Sequence, residues 1–329
     1  MTFHPDTLPD LKGKVFIVTG GDSGIGYHTV SYLAQHGAHV YMGARSQEKA
    51  TAAIANIKKS HPSAHIDLLQ LDHTDLASVV AAAQRFLTRE TALHGLVNNA
   101  GIMATPFELT KDGHEAQWQT NYLAHWVLTE HLLPLLLRTA KTTSLPAGGV
   151  RIVNISSSGH LAAPKGGIHF EDPSLQESGG GPWSRYGQSK LANILHAKTL
   201  HKKYGPGSAG SARDGDEGGE IWISSVHPGI VESNLASAVE GGSGGSGVAG
   251  TFSLFRMLGM MLPADKGAWT SLFCVAGPDM KAQQSGGYFE IHGRFGEPCW
   301  QSGAAKDVQL AEKLEAWTGE TMGKEGWVR

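Results

Sequence analysis

Tyr186 and Lys190 lie four residues apart in Tyr186-Gly-Gln-Ser-Lys190, directly after a loop rich in Gly and Pro. On a helix, residues at that spacing share a face. An ammonium held beside a phenol favours the phenolate and lowers the phenol pKa. Tyr186 is therefore a candidate proton donor and acceptor near neutral pH. An isolated Y-x-x-x-K is more often an ordinary surface pair, so its meaning rests on what else the chain supplies.

A glycine loop is the first such feature. Thr19-Gly-Gly-Asp-Ser-Gly24-Ile-Gly26 follows an apolar run and opens a helical pattern. Glycines there let the backbone approach a pyrophosphate, and the helix N-terminus faces the phosphates. The spacing is G-x-x-x-G-x-G rather than G-x-G-x-x-G, with the same physical purpose. Gly20, Asp22, Ser23, Gly24, Ile25 and Gly26 are the candidate contacts. A site for NAD carries an acid at the end of the second strand, on the ribose hydroxyls. This chain reads Gly43-Ala44-Arg45-Ser46 there. An arginine can pair bidentately with a 2′-phosphate, and Ser46 can add a hydroxyl, so NADP(H) is expected over NAD(H). Asp72 is placed to accept from the adenine amino group, with His73 beside it. Asn99, Ala100 and Gly101 follow the fourth strand at the carboxyl edge, where ligands of open α/β sheets bind.

A third polar group comes from Asn154-Ile-Ser156-Ser157-Ser158, which ends the fifth strand at the same edge. A serine hydroxyl there can hydrogen-bond a carbonyl and stabilise developing charge. Asn121 falls mid-helix, where asparagine is mildly unfavourable, which suggests a functional role.

The elements that must position these groups alternate. Apolar runs predict strands over residues 14–19, 38–43, 65–71, 93–98, 150–155 and 221–226. Helical patterns lie over 24–36, 47–59, 76–90, 112–137 and 184–204, the fourth broken or kinked near Pro134. The alternation predicts a doubly wound parallel α/β sheet of about seven strands with helices on both faces. Continuous apolarity within the strands means that both faces are covered. No composition break marks a second domain, so residues 1–329 read as one Rossmann-type domain. Its core spans about 12–292, with an extension over 293–329. Residues 205–220 and 240–250 read as insertions rich in Gly and Ser. The apolar stretch 252–262 then reads as a small lid on glycine hinges, or as a loop before a packed helix.

Taken together, these motifs resemble the short-chain dehydrogenase/reductase family, classical type. The matching residues are Thr19-Gly20-x-x-x-Gly24-Ile25-Gly26, Asp72, Asn98-Asn99-Ala100-Gly101, Asn121, Ser157, Tyr186-x-x-x-Lys190 and His227-Pro228-Gly229, in the family's order. The resemblance implies that Tyr186 is the general acid/base and that Ser157 orients the substrate oxygen, with Ser156 and Ser158 as alternatives. It implies that Lys190 lowers the Tyr186 pKa and holds the nicotinamide ribose. Asn121 would anchor a water of the proton relay. Pro228, Gly229, Val231 and Ser233 would border the nicotinamide. Within the family, Asn121-Tyr-Leu-Ala-His-Trp126 and Val226-His-Pro-Gly-Ile-Val-Glu-Ser-Asn234 look most like the retinol-dehydrogenase and WW-domain-oxidoreductase branch. The resemblance also implies a homodimer or homotetramer through the helices at 112–137 and 184–204.

Composition narrows the partners. A net charge of −3 gives no electrostatic case for nucleic acid or an anionic membrane. Two distant cysteines, Cys274 and Cys299, suggest neither a disulfide framework nor a zinc site, and no metal is expected. No run approaches the roughly 20 apolar residues of a membrane span, so a cytoplasmic protein of secondary metabolism is expected. Gly241-Gly-Ser243-Gly-Gly245 fits G-x-S-x-G only within low-complexity sequence. Met103, His160, Leu161, Phe170 and Trp183 are candidate contacts for an apolar or aromatic carbonyl substrate. The expected activity is NADPH-dependent reduction of a hydrophobic ketone or aldehyde, or the reverse alcohol oxidation. The alternatives are an NADP(H)-binding redox sensor and a non-redox cyclase or epimerase.

Overall fold

The computed structural model describes residues 3–142, 145–208, 220–232, 261–290 and 298–328. Seven parallel strands form one sheet in the order β3-β2-β1-β4-β5-β6-β7. They are β1 Val15–Thr19, β2 His39–Ala44, β3 His65–Gln70, β4 Gly95–Asn98, β5 Val150–Ile155, β6 Ile221–His227 and β7 Tyr288–Glu290. The main helices are α1 Gly24–Gln35, α2 Gln47–Ser60, α3 Leu76–Leu87, α4 Ala124–Ala140, α5 Pro182–Tyr204, α6 Ala264–Ala276 and α7 Val308–Lys324.

The sheet is apolar on both faces because alternate strand residues point to opposite layers. Ile17, Leu96, Ile152 and Ile223 pack against α3, α4, α5 and α7. Phe16, Val18, Val97 and Val153 pack in the opposite layer with Val30, Leu33, Leu272 and Phe273 of α1 and α6. The strand order reverses between β1 and β4, and their carboxyl ends border a crevice at that point.

The helix expected over 112–137 is built differently. Asp112 and Gly113 form a turn, with Gly113 at φ 85°. Helix begins at Ala116–Trp118, widens to a π turn at Gln119–Leu123, and only then becomes α4. The irregularity therefore falls at Asn121, and α4 runs through Pro134 without ending. Proline removes one amide donor, and the helix survives because Leu132, Leu133, Leu135 and Leu136 around it are buried.

The C-terminal extension forms α7, which lies on α4 and α5. Tyr122 Oη meets Thr318 Oγ1 at 2.7 Å, Trp126 Nε1 donates to Glu315 Oε2 at 3.0 Å, and Lys203 Nζ donates to Glu315 Oε1 at 2.6 Å. α7 thus covers part of the two helices expected to pair with a second subunit. Residues 240–250, most of 205–220 and most of the stretch read as a lid lie outside the described residues, as does Ser233. No helix among the described residues is long and apolar enough to cross a membrane.

Candidate active site

The crevice opens into a cleft of about 610 Å³ along the carboxyl ends of β1 to β6. One end is the glycine loop. Gly20 and Gly24 adopt φ of 62° and 52°, a region that favours glycine. A Cβ at Gly26 would fall 2.1 Å from the Gly20 carbonyl oxygen, so the turn closes only without a side chain. Ser23 caps α1 by backbone alone, which leaves the first-turn N–H groups without a side-chain acceptor. Those groups and the bare glycine backbone fit a pyrophosphate.

Behind the loop, Thr19 Oγ1 accepts from the backbone N–H groups of Asn99 and Ala100 at 2.8 and 2.9 Å. Asn99 Nδ2 donates back to the Thr19 carbonyl at 2.8 Å. These bonds hold the ends of β1 and β4 in register beside the cleft.

Arg45 is exposed and lines the cleft mouth. Ser46 lines it too, but its hydroxyl caps α2 by accepting from Lys49 N at 3.3 Å. Lys49, one helical turn on, also lines the cleft; the sequence reading overlooked this cation, which follows from helical spacing after Arg45. Asp72 Oδ1 is occupied by the Thr74 N–H and hydroxyl at 2.9 and 2.8 Å. His73 is buried, which pushes its pKa down to about 4, and its ring packs against His125.

The other end holds the hydrogen-transfer candidates. Tyr186, Lys190 and Ser157 line the same part of the cleft. Ser157 caps the 3₁₀ turn Ser158–Ala162 and accepts from Gly159 N at 3.0 Å. The Ser157 side chain is close enough to Tyr186 to favour its phenolate. Of the neighbouring serines, Ser156 is spent: its hydroxyl donates to the Lys190 carbonyl at 2.7 Å. Ser158 is exposed at the cleft edge. The Lys190 ammonium donates to the Ile155 carbonyl at 3.1 Å and stands 5.7 Å from the Tyr186 ring centroid.

The electrostatics differ from the expectation that Lys190 lowers the Tyr186 pKa. Burial pushes the phenol up to about 12, and the nearby Ser157 side chain only partly offsets this. Burial brings Lys190 down to about 7. Desolvation dominates both shifts.

Asn121 is fully buried. Its Oδ1 accepts from Ile102 N at 2.8 Å, and its Nδ2 donates to Ile102 O at 3.0 Å and Ser189 Oγ at 2.9 Å. The side chain is thus committed to protein partners, and the backbone carbonyl is met by His125 Nδ1 at 3.0 Å. Pro228, Gly229 and Val231 close the cleft beside Gly101.

Met103 and Trp183 line the substrate end, with Trp183 edge-on to Tyr186 at 5.9 Å. Three other candidates do not line the cleft among the described residues. His160 is buried between Ser157 O and Ser302 N, Leu161 faces solvent, and Phe170 packs against Trp317 of α7. Arg185, which the sequence reading passed over, binds both loops that flank this end. Its guanidinium donates to Thr105 O, Gly180 O and Glu115 Oε1. Among the described residues, His39, His65 and Asp67 form the one His/carboxylate group close enough for a metal. It lies at the far end of the strands, and its two rings stack face to face at 3.6 Å, so their lone pairs do not converge.

Comparison with known proteins gives the chain's family and fold relatives. Residues 14–170 match the family model for short chain dehydrogenase. The chain is 49% identical over 320 residues to the short-chain dehydrogenase/reductase drtF of Aspergillus calidoustus, covering 97% of each chain. It is 33% identical to retinol dehydrogenase 12 of Mus musculus, covering 96% of this chain and 89% of that one. Among solved structures, an uncharacterised protein from Mycobacterium paratuberculosis superposes with a TM-score of 0.71 at 29% identity, covering 98% of both chains. An NADPH-bound carbonyl reductase from chicken fatty liver shares the fold at a TM-score of 0.61 and 22% identity, covering 90% of this chain and 97% of that one. Cleft, sheet and sequence together make this chain a member of the short-chain dehydrogenase/reductase family of oxidoreductases.

Proposed function

We propose that the protein is an NADPH-dependent reductase of an apolar ketone or aldehyde, able to run the reverse alcohol oxidation. The observation that carries the reading is that Tyr186, Ser157 and Lys190 line one cleft together with the glycine loop. The glycine loop, the uncapped α1 terminus and Asn99–Gly101 would hold the dinucleotide, with Arg45 and Lys49 at its 2′-phosphate. Bound there, the reduced nicotinamide supplies the hydride.

The chain's own residues do the rest. Ser157 donates to the substrate oxygen and fixes the carbonyl. Tyr186 gives its hydroxyl proton to that oxygen as negative charge develops. Lys190, poised near neutrality, gains charge as anionic groups enter the cleft, and that charge favours departure of the Tyr186 proton. Met103 and Trp183 exclude water from the substrate end. These apolar walls support a hydrophobic carbonyl compound.

The test pairs turnover with binding. Wild type and Tyr186→Phe are offered NADPH and a panel of hydrophobic ketones and aldehydes. Turnover should fall by about 10²–10⁴-fold in the variant while NADPH binding is retained. Failure of every compound to oxidise NADPH would overturn the reading.

A further inference from the structure

His125 lies one helical turn after Asn121 and is 2% exposed. Its Nδ1 is 3.0 Å from the Asn121 carbonyl oxygen, and its Nε2 is 2.9 Å from Thr19 Oγ1. A carbonyl oxygen only accepts, so Nδ1 must carry the hydrogen. In a neutral imidazole Nε2 then only accepts, so the Thr19 hydroxyl donates to it. The Thr19 oxygen keeps its lone pairs for the N–H groups of Asn99 and Ala100. The four bonds therefore admit one arrangement of hydrogens.

An imidazolium would break it. A hydrogen on Nε2 would point at an oxygen already accepting twice, and the Thr19 proton would turn to Val97 O at 3.4 Å. Burial holds the His125 pKa well below its ordinary value, and the neighbouring His73, Lys190 and His196 lower it further.

We propose that His125, fixed as the Nδ1–H tautomer, is a positioning residue that couples the glycine-loop strand to the Asn121 turn. Through Thr19 it sets the Asn99–Ala100 floor of the cleft; through its other nitrogen it aims the Asn121 carbonyl. Nothing else among the described bonds links β1 to the π turn through one side chain. Its catalytic consequence rests on the reductase reading; its hydrogen-bond arrangement does not.

The experiment has two independent arms. Long-range ¹H–¹⁵N NMR of the whole protein should show His125 protonated at Nδ1, with an unprotonated Nε2 unchanged from pH 6 to 9. An Nε2–H ring, or an imidazolium, overturns the proposal. The second arm compares His125→Asn, His125→Gln and His125→Phe. Asparagine can keep the donor to Asn121, and glutamine can keep the contact with Thr19. Phenylalanine keeps volume but neither bond. NADPH affinity, read by its fluorescence, should fall several-fold in His125→Phe and less in His125→Gln. With a ketone found active, kcat should fall about tenfold or more in His125→Phe with KM for the ketone little changed, and asparagine should restore part of it. Wild-type affinity and kcat in a folded His125→Phe overturn the proposal. If no compound is turned over, the reductase reading fails, while the tautomer and NADPH affinity still decide the role of His125. If His125→Phe does not fold, the tautomer and the two amide variants decide it.

Discussion

The Asn121 side-chain amide donates to Ser189 Oγ across 2.9 Å, and that hydroxyl donates in turn to the Tyr186 carbonyl at 2.8 Å. One serine thereby joins the π turn to the helix that presents Tyr186 and Lys190. Removing its hydroxyl leaves a buried N–H short of an acceptor, at a cost of about 1–3 kcal/mol. Ser189→Ala should lower Tm by several degrees, and thermal melting checks it. An unchanged Tm would mean that this link does not contribute to stability.

Lys190 gives the unliganded protein a distinctive pH dependence. Its folded pKa is about 7, against an ordinary value of 10.5. Between these values the unfolded chain binds a proton that the folded chain has lost, so stability rises with pH through that window. Below about pH 7 both states hold the proton, and the full cost of burying the ammonium remains. Lys190→Met removes this dependence and nearly matches the volume. The gap in Tm between variant and wild type should be widest near pH 6 and shrink towards pH 10. A gap independent of pH would contradict a lowered Lys190 pKa.

Arg45 carries the expected coenzyme preference. A charge-assisted bond to a phosphate contributes about 1.5–3 kcal/mol, so Arg45→Ala should weaken NADPH binding by roughly 10- to 100-fold. NADH binding should hardly change. Isothermal titration with both nucleotides separates the outcomes, and equal losses for both would move the preference to Lys49 or to backbone contacts.

The position of α7 bears on oligomeric state. Bonds from Thr318 and Glu315 lay it over the π turn and α4, and Lys203 ties it to α5. Light scattering after gel filtration should give the mass of one chain. A stable mass of two or four chains would refute the expectation.

Strand positions and the glycine loop were legible because their signals are local. An apolar run such as 150–155 has one reading, and the glycines answer to backbone geometry within a few residues. The π turn was not legible, because nothing in Gln119–Leu123 differs in pattern from an ordinary helix. It exists because the Asn121 side chain binds Ile102 and Ser189 at once, a relationship across 68 residues. The placement of His160 and Phe170 is hidden from the sequence for a related reason. Both follow the fifth strand as substrate loops do, but the C-terminal residues Ser302 and Trp317 reach back to cover them. The pattern for α7 was available: Ala311, Leu314, Thr318 and Met322 recur at helical spacing and are all buried. The pKa values of Tyr186 and Lys190 depend on total burial, which no four-residue motif states.

The reversal of strand order between β1 and β4 has a consequence for descent. The cleft-lining residues from Gly20 to Thr74 precede the reversal in the chain, while Asn121, Ser157, Tyr186 and Lys190 follow it. A single crossover between Thr74 and Gly95 would therefore exchange the glycine loop and the cleft mouth and leave Met103, Asn121, Ser157, Tyr186 and Lys190 in place. Two relatives could trade that half of the cleft by recombination while each lineage kept the residues proposed to do the chemistry.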